Sequence, residues 1–364
     1  MVSFLCRSEW ERDGMIFKKF LIETGTGETG FRIKGEPVET EEDGCGDSGG
    51  TIDGSIEESS SGNTNSENGS NGNSSGGNTS SGNTSSGNNS GRNTGVPKNR
   101  KRRSGSALLT CFLKDNTDGK PDARRKAVII CPGGGYEFCS TREGEPAAFQ
   151  FLAMDCQAFV LHYSTDPGIF PEALCELAAA VALIRRRAGE WHIESNGICV
   201  CGFSAGGHLA ASLGVFWNRN FLRERLGLEP EQMRPNGLIL SYPVISSGEY
   251  GHAASFDNLT GKGRAEFSRE FLSLENQVGE QVPPVFMWHT DTDGTVPVEN
   301  SLLFAWALKK AKVSLELHIY PQGRHGLALA NEETDKVTDD GRGGYVVPCC
   351  QSWTELVKKW IMSL

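Results

Sequence analysis

The sequence lacks an apolar run long enough to cross a membrane, since every hydrophobic stretch falls short of the roughly 20 residues that a transmembrane helix needs. Its N-terminus also lacks the apolar segment of a secretory signal peptide, because charged side chains appear from Arg7 onward. We therefore expect a cytoplasmic protein with no membrane partner. The formal net charge of -10 gives no general reason to expect nucleic-acid binding.

A Cys-x-x-Cys pair, the usual spacing for structural zinc, is also missing from the sequence. The chain has 11 cysteines, an odd number, and several of them lie inside apolar runs, where cysteine packs as a small buried hydrophobe. Cys349 and Cys350 are adjacent and do not easily pair with each other. We therefore expect reduced thiols and no structural zinc.

Residues 38–105 have few apolar side chains and are rich in Ser, Gly and Asn. Such a composition cannot offset the entropy cost of ordering, so this tract is predicted to be a disordered insertion, with the basic run at 98–103 as a solvated hinge. Strand-like runs flank it at 15–23 and 107–113. We therefore expect residues 1–37 to supply N-terminal strands to a catalytic domain formed by residues 106–364.

Beyond residue 126, apolar strand-like runs alternate with helical patterns. Such alternation predicts an α/β fold with a mostly parallel central sheet and helices on both faces, in which ligands bind at the carboxyl ends of the strands. The predicted strands are 127–131, 158–162, 198–201, 237–241, 284–289 and 314–320, and the predicted helices are 145–154, 171–187, 205–216, 298–312 and 352–362.

The segment Gly202-Phe-Ser-Ala-Gly206 matches G-x-S-x-G between a predicted strand and a predicted helix. This sharp turn exposes a serine hydroxyl above the sheet, and glycines are needed where the helix begins close against the strand. The free N–H groups at the helix start then face any oxyanion beside the serine. We therefore predict Ser204 as a nucleophile and expect His208, one turn later, to pack beneath the elbow.

Three consecutive glycines, Gly133, Gly134 and Gly135, directly follow the predicted strand 127–131. Their N–H groups can approach a substrate oxygen without obstruction from side chains, and the N–H of Ala205 can complete an oxyanion hole. A phosphate-binding loop is the alternative, but the spacing matches neither G-x-G-x-x-G nor a P-loop.

A serine nucleophile needs a base and an acid that orients the base. His325 lies on a loop past the last predicted strand and is flanked by glycine, so we predict that it is the base. Two carboxylates follow the preceding strand. We choose Asp293 as the acid because it lies past the end of the strand, and because Gly294 beside it allows the backbone to turn. Asp291 remains the alternative. The chain order of Ser, Asp and His is that of α/β-hydrolases.

Together, the motifs at 132–136, 202–208, 293–297 and 323–326 resemble those of the α/β-hydrolase esterase/lipase superfamily, and among its branches the bacterial acetyl esterases and acetylxylan-esterase-like proteins. The resemblance covers about residues 106–364 and the first strand. Pro132 stands where hormone-sensitive-lipase-like relatives have histidine. The resemblance implies the α/β-hydrolase fold and acyl transfer without a metal or organic cofactor.

The same resemblance implies roles for individual residues. Gly134 and Gly135 are the expected oxyanion donors beside Ala205, although the sequence leaves Gly133 open. We also expect the neighbouring Tyr136 and Phe203 to contact the substrate.

Residues 247–281 are too many for a simple turn and are expected to form a small partial lid. Its Phe256, Phe267 and Phe271 either wall a pocket or pack as ordinary core residues. We expect short-chain esters, above all acetyl esters, as small-molecule substrates, with carbohydrates as one source. The alternatives are a serine peptidase of the prolyl-oligopeptidase type and a non-catalytic binding protein, and the oligomeric state is not predicted.

Overall fold

A computed structural model describes residues 2–12, 15–24, 31–33, 106–337 and 343–364, and the predicted disordered insertion 38–105 lies outside these residues. The described strands are β1 (Val2–Arg12), β2 (Met15–Thr24), β3 (Phe31–Ile33), β4 (Ser106–Lys114), β5 (Arg125–Cys131), β6 (Gln157–His162), β7 (Ile193–Phe203), β8 (Gly237–Ser241), β9 (Val285–Thr290) and β10 (Leu315–Tyr320). The described α-helices are α1 (Glu145–Ala153), α2 (Glu172–Arg186), α3 (Ala205–Phe216), α4 (Asn220–Leu226), α5 (Pro230–Met233), α6 (Ala253–Leu259), α7 (Glu299–Lys310), α8 (Pro348–Gln351) and α9 (Trp353–Ser363).

The strands form one sheet in the order β10-β9-β8-β7-β5-β6-β4-β2-β1-β3. The block from β10 to β6 is parallel, whereas β4 pairs antiparallel with both β6 and β2, and β2 pairs antiparallel with β1. From β5 the chain goes to β6 on one side and then to β7 on the other. The loops after β5 and β7 therefore leave neighbouring strands at the switch point of the sheet, where α/β proteins bind ligands.

Successive side chains along the parallel strands lie on opposite faces of the sheet and belong to two separate hydrophobic cores. In β5, Ala127, Ile129 and Cys131 enter one core, and Val128 and Ile130 enter the other. Helices α2, α3 and α7 pack on the first face, and α1 and α9 pack on the second. Strands buried on both faces read as continuous apolar runs, which is why the sequence pattern located them.

The six strands and five helices predicted beyond residue 126 are all present, with ends shifted by up to about five residues, and the mostly parallel sheet with helices on both faces is confirmed. The strands predicted at 15–23 and 107–113 are present as β2 and β4, whereas β1, which precedes them in the chain, was not predicted. The short helices α4, α5 and α6 were not predicted. They span seven, four and seven residues, so none is long enough to display an amphipathic period.

Strand β2 pairs antiparallel with β4 along most of its length, from Met15 opposite Lys114 to Glu23 opposite Ser106. In β2, Phe20 and Ile22 are buried in the same core as Leu109 of β4. The end of β2 and the start of β4 therefore lie side by side, and β3, which comes between them in the chain, pairs with β1 at the edge of the sheet.

No helix in the described part of the chain is long and apolar enough to span a membrane. The nine cysteines from Cys111 to Cys350 are free thiols, and Cys349 Sγ lies 4.0 Å from Cys350 Sγ.

Replacing residues 38–104 with a short turn should leave a folded protein, because loop closure depends only logarithmically on length. Far-UV circular dichroism and thermal melting should match those of the full chain. A deletion of residues 15–104, which also removes β2 and its buried Phe20 and Ile22, is the control and should not fold. Loss of folding in the shorter deletion would contradict the insertion hypothesis.

Candidate active site

Ser204 lies on the turn between β7 and α3 in a backbone conformation that L-residues rarely adopt, with φ 54° and ψ -118°. The turn is tight because α3 begins directly against the sheet. A Cβ at Gly202 would overlap the carbonyl oxygen of Gly206, and a Cβ at Gly206 would overlap that of Cys131. Both glycines of the motif are therefore required by close backbone approach, as the sequence predicted.

The structure brings the three predicted residues Ser204, His325 and Asp293 into one hydrogen-bonded chain. His325 Nε2 lies 2.7 Å from Ser204 Oγ, and His325 Nδ1 lies 2.6 Å from Asp293 Oδ2. They follow β7, β10 and β9, which are strands of the same parallel block. The carboxyl ends of these strands therefore converge on one site.

The carboxylate of Asp293 is completely buried and accepts several hydrogen bonds. Its Oδ1 accepts the N–H groups of Thr295 (2.9 Å) and Val296 (3.0 Å), and its Oδ2 faces two histidines, His325 and His289. Burial alone would raise the pKa of Asp293, but the hydrogen bonds from His289, His325 and Val296 lower it well below its ordinary value. Asp293 is therefore ionised at neutral pH.

Asp291, the alternative acid, does not reach the histidine. It is exposed at the end of β9, and its backbone N–H donates to the carbonyl of Tyr320. The structure therefore favours Asp293, two residues further into the turn, as the carboxylate that orients His325.

The glycine loop after β5 lies against the nucleophile. The N–H of Gly133 is already committed, because it donates to Glu143 Oε2 at 2.8 Å. Within the described residues, the N–H groups of Gly134, Gly135 and Ala205 have no hydrogen-bond acceptor. Gly134 and Gly135 have φ of 127° and 63°, values that favour glycine. The geometry thus leaves Gly134, Gly135 and Ala205 as candidate oxyanion donors and removes Gly133.

The two residues predicted to contact substrate are both buried. Phe203 has no exposed surface and packs against Tyr242 and Trp353 in the core beneath the sheet, so the predicted contact of its side chain with substrate has no support in this geometry. Tyr136 is 3% exposed, and its hydroxyl lies 2.9 Å from His208 Nδ1. Neither side chain faces an open pocket in this structure.

His208 packs beneath the elbow, as predicted, and connects three segments. Its Nε2 donates to the carbonyl of Leu272 at 2.9 Å, so Nδ1 accepts from the Tyr136 hydroxyl. Burial lowers the pKa of His208 to about 4, with the bond to Leu272 opposing the shift. A neutral histidine therefore joins the glycine loop to the region predicted as a lid.

The predicted lid region folds as α6 and a following irregular segment. Asn258 of α6 donates from Nδ2 to the carbonyl of Gly135 at 2.9 Å, which places α6 over the glycine loop. Of its phenylalanines, Phe256 is buried in the first core, whereas Phe267 and Phe271 are partly buried and line a pocket with Phe221. Phe256 packs edge-on to His208, with ring centroids 5.3 Å apart, and Phe267 and Phe271 pack on each other at 4.9 Å.

Three residues at the site were missed by sequence reasoning. His289 lies four residues before Asp293, and its Nε2 is 3.3 Å from Asp293 Oδ2 and 2.9 Å from the carbonyl of Val296. Glu143 and Tyr242 are hydrogen-bonded to each other behind the glycine loop. Tyr242 directly follows β8, and its place at the carboxyl end of a parallel strand was the signal that could have identified it.

The arrangement contains the parts of nucleophilic catalysis: a hydroxyl, a base in contact with it, a carboxylate that orients the base, and free N–H groups beside the hydroxyl. Among the described residues, no group of three or more His, Cys, Asp or Glu side chains is placed to hold a metal ion.

Comparison with known proteins identifies the family. The profile of the BD-FAE family matches residues 117–308, which includes the glycine loop, the elbow and Asp293. This chain belongs to the BD-FAE family. The α/β-hydrolase resemblance inferred from the motifs is thereby confirmed.

Two curated relatives share substantial sequence identity with the chain. It is 40% identical over 220 residues to endo-1,4-beta-xylanase B of Butyrivibrio fibrisolvens, a match covering 58% of this chain and 34% of that protein. It is 31% identical over 231 residues to an acetylxylan esterase of Xylanibacter ruminicola, covering 62% of this chain and 44% of the relative. The matches therefore span less than half the length of these relatives.

Two solved structures match the chain over almost their own whole length. An acetyl ester-xyloside bifunctional hydrolase from Caldicellulosiruptor lactoaceticus is 35% identical, with a TM-score of 0.61, and the match covers 75% of this chain and 93% of that one. A carboxylesterase from Lactobacillus plantarum is 30% identical, with a TM-score of 0.63, and covers 71% and 93% respectively. These matches confirm the α/β-hydrolase fold.

The choice between the two carboxylates is testable with isosteric variants. Asp293→Asn should lower kcat for p-nitrophenyl acetate by about 10³–10⁴-fold, because the amide no longer favours the correct tautomer of His325 or stabilises its charged form. Asp291→Asn, the matched control, should stay near the wild-type rate. The reverse ranking, measured on variants with wild-type melting curves, would assign the acid to Asp291.

Proposed function

We propose that this protein is a serine carboxylesterase that hydrolyses short acyl esters, acetyl esters above all, borne on carbohydrates. The observation that carries the proposal is the continuous contact from Ser204 Oγ through His325 to the ionised Asp293, beside three N–H groups without acceptors. Membership of the BD-FAE family and the esterase names of its relatives support the reaction class.

In the proposed mechanism, the Ser204 hydroxyl attacks the ester carbonyl carbon while His325 Nε2 takes its proton. The Asp293 carboxylate holds the His325 Nδ1–H and stabilises the imidazolium. The N–H groups of Gly134, Gly135 and Ala205 stabilise the oxyanion. The tetrahedral intermediate then collapses, and His325 returns the proton to the leaving alcohol, which leaves an acyl group on Ser204.

The second half repeats the same proton transfers with water as the nucleophile. His325 removes a proton from water, the resulting oxyanion is again held by the three N–H groups, and Ser204 leaves as a hydroxyl when His325 returns the proton. The products are a carboxylic acid and the free enzyme, so no cofactor is consumed.

The surroundings of the glycine loop favour a small, polar substrate over a long acyl chain. Helix α6 places polar side chains beside this loop. Asn258 donates a hydrogen bond to the carbonyl of Gly135, and Ser255 Oγ lies close to the same residue, 3.8 Å from the position that a Cβ on Gly135 would occupy. His252 bonds the same serine at 2.8 Å and is half-buried. Hydroxyl-rich leaving groups find hydrogen-bond partners there, and two relatives are named for acetylxylan or acetyl ester-xyloside hydrolysis.

The nucleophile is tested by Ser204→Ala. Members of a catalytic triad act as a unit, so turnover of p-nitrophenyl acetate should fall by several orders of magnitude while the melting temperature is kept. A fluorophosphonate probe should label the wild type and not the variant. A variant with turnover within about tenfold of the wild type, a barrier change of only about 1.4 kcal/mol, would exclude Ser204 as the nucleophile.

The acyl preference is tested with p-nitrophenyl esters from acetate to decanoate. We expect kcat/KM to be highest for acetate, and acetylated xylo-oligosaccharides to release acetate in a Ser204-dependent manner. Faster hydrolysis of decanoate than of acetate would overturn the short-chain proposal. Cleavage of aminoacyl amides without ester preference would favour a peptidase.

A further inference from the structure

Behind the glycine loop lies a carboxylate that the proposed mechanism does not use. Glu143 is 4% exposed and lies just before α1. Its Oε2 accepts the N–H of Gly133 at 2.8 Å, and its Oε1 accepts the hydroxyl of Tyr242 at 2.8 Å. Burying a carboxylate is costly unless its lone pairs are satisfied, and here each oxygen has a donor of fixed direction.

Tyr242 extends this contact to the loop that carries the base. Its hydroxyl accepts the N–H of Ala328 at 2.8 Å while donating to Glu143, and its ring packs edge-on to His325, with centroids 5.1 Å apart. Burial, followed by the nearby charge of Glu143, raises the pKa of Tyr242 well above its ordinary value. The hydroxyl therefore stays protonated and remains a donor to Glu143.

The neighbouring Arg142 binds the same loop from outside. Its Nη1 donates to the carbonyl of Gly326 at 3.1 Å, and its Nε donates to that of Thr334 at 2.8 Å. Residues 142 and 143 together thus hold the chain that follows His325. The short turn at residues 142–143 therefore contacts both the glycine loop and the loop that carries His325.

The contact at Gly133 leaves little freedom to the loop. A Cβ at Gly133 would lie 2.7 Å from Glu143 Oε2 and 3.0 Å from Ser204 Cβ, so this glycine is held between the carboxylate and the nucleophile. The plane of its peptide is set by the bond to Glu143. The peptides that carry the N–H groups of Gly134 and Gly135 follow this anchored peptide directly in the chain.

We propose that Glu143 is a positioning residue that holds the oxyanion loop and the histidine loop in one geometry through Gly133 and Tyr242. The inference rests on the proposed esterase function. Because the oxyanion donors act on charge that develops only in the transition state, loss of Glu143 lowers kcat and leaves substrate binding nearly unchanged. If Glu143 were merely structural, its loss would lower the stability of the protein without lowering kcat at an unchanged KM.

The test is Glu143→Gln, which keeps the shape but replaces one acceptor oxygen with an NH₂ donor. If the NH₂ faces Gly133, the bond from that N–H is lost. If it faces Tyr242, the hydroxyl must accept from it instead of donating, and in either case weaker neutral bonds replace the bonds to a carboxylate. We expect kcat for p-nitrophenyl acetate to fall by about tenfold to a hundredfold, as small misplacements of catalytic groups do, with KM changed little. Inhibition by a boronic acid that mimics the tetrahedral intermediate should weaken in parallel with kcat/KM.

Glu176→Gln is the matched control. Glu176 has no exposed surface, and it accepts the N–H and the hydroxyl of Ser164, which follows β6, at 2.7 and 2.5 Å. We expect this variant to melt at a lower temperature and to keep the wild-type kcat. Tyr242→Phe removes only the hydroxyl that bridges Glu143 and Ala328, and we expect it to lower kcat as Glu143→Gln does, by a smaller factor. If Glu143→Gln does not fold, Tyr242→Phe tests the inference in its place.

A folded Glu143→Gln enzyme with wild-type kcat, or with a raised KM alone, would overturn the inference and leave the proposed esterase intact. A wild-type protein without ester hydrolysis would overturn the proposed function first. Equal loss of kcat in Glu143→Gln and Glu176→Gln would assign Glu143 to general stability.

Discussion

The backbone turn at Ser204 is the constraint to which the rest of the site conforms. Its positive φ costs on the order of 1–3 kcal/mol for a non-glycine residue, and such strain persists only when the surroundings hold it. Here they do so by close packing: α3 begins against the ends of β5 and β7, at a distance that only Gly202 and Gly206 allow. The fully buried α3 then places the free N–H of Ala205 beside the strained serine.

A second set of contacts fixes the distance between Asp293 and His325, the proposed acid and base. The loops after β9 and β10 are fastened to each other, since Thr290 and Thr292 both donate their hydroxyls to the carbonyl of Gly323 at 3.0 Å. Asp293 and His325 follow these anchor points by one and two residues. The short contact between them is therefore built into the ends of adjacent parallel strands and does not depend on the flexibility of either loop.

Sequence reasoning selected Ser204, Asp293 and His325 because each lies in a glycine-containing turn directly after an apolar strand. Such a turn is a local pattern that can be recognised without knowing which segments meet in the fold. The substrate contact predicted for Phe203 has no support in the geometry, because the period of two in β7 places this residue with Cys199 and Cys201 on the face of the second core. Tyr242 and Glu143 are 99 residues apart, and no local pattern indicates such a contact. The parallel sheet was predictable from its apolar runs, whereas the short helices and β1 carry too little periodic signal.

His208 and Asp293 are both buried polar side chains, but the first is neutral and the second is charged. His208 remains neutral, with a pKa of about 4, and is satisfied by one donor and one acceptor, so it joins Tyr136 to Leu272 without a counter-charge. Asp293 remains charged, with two backbone N–H groups on its Oδ1 and two histidines facing its Oδ2. The charge of Asp293 acts on His325, the residue whose imidazolium the proposed reaction must stabilise, whereas neutral His208 serves as a hydrogen-bonded link between two segments.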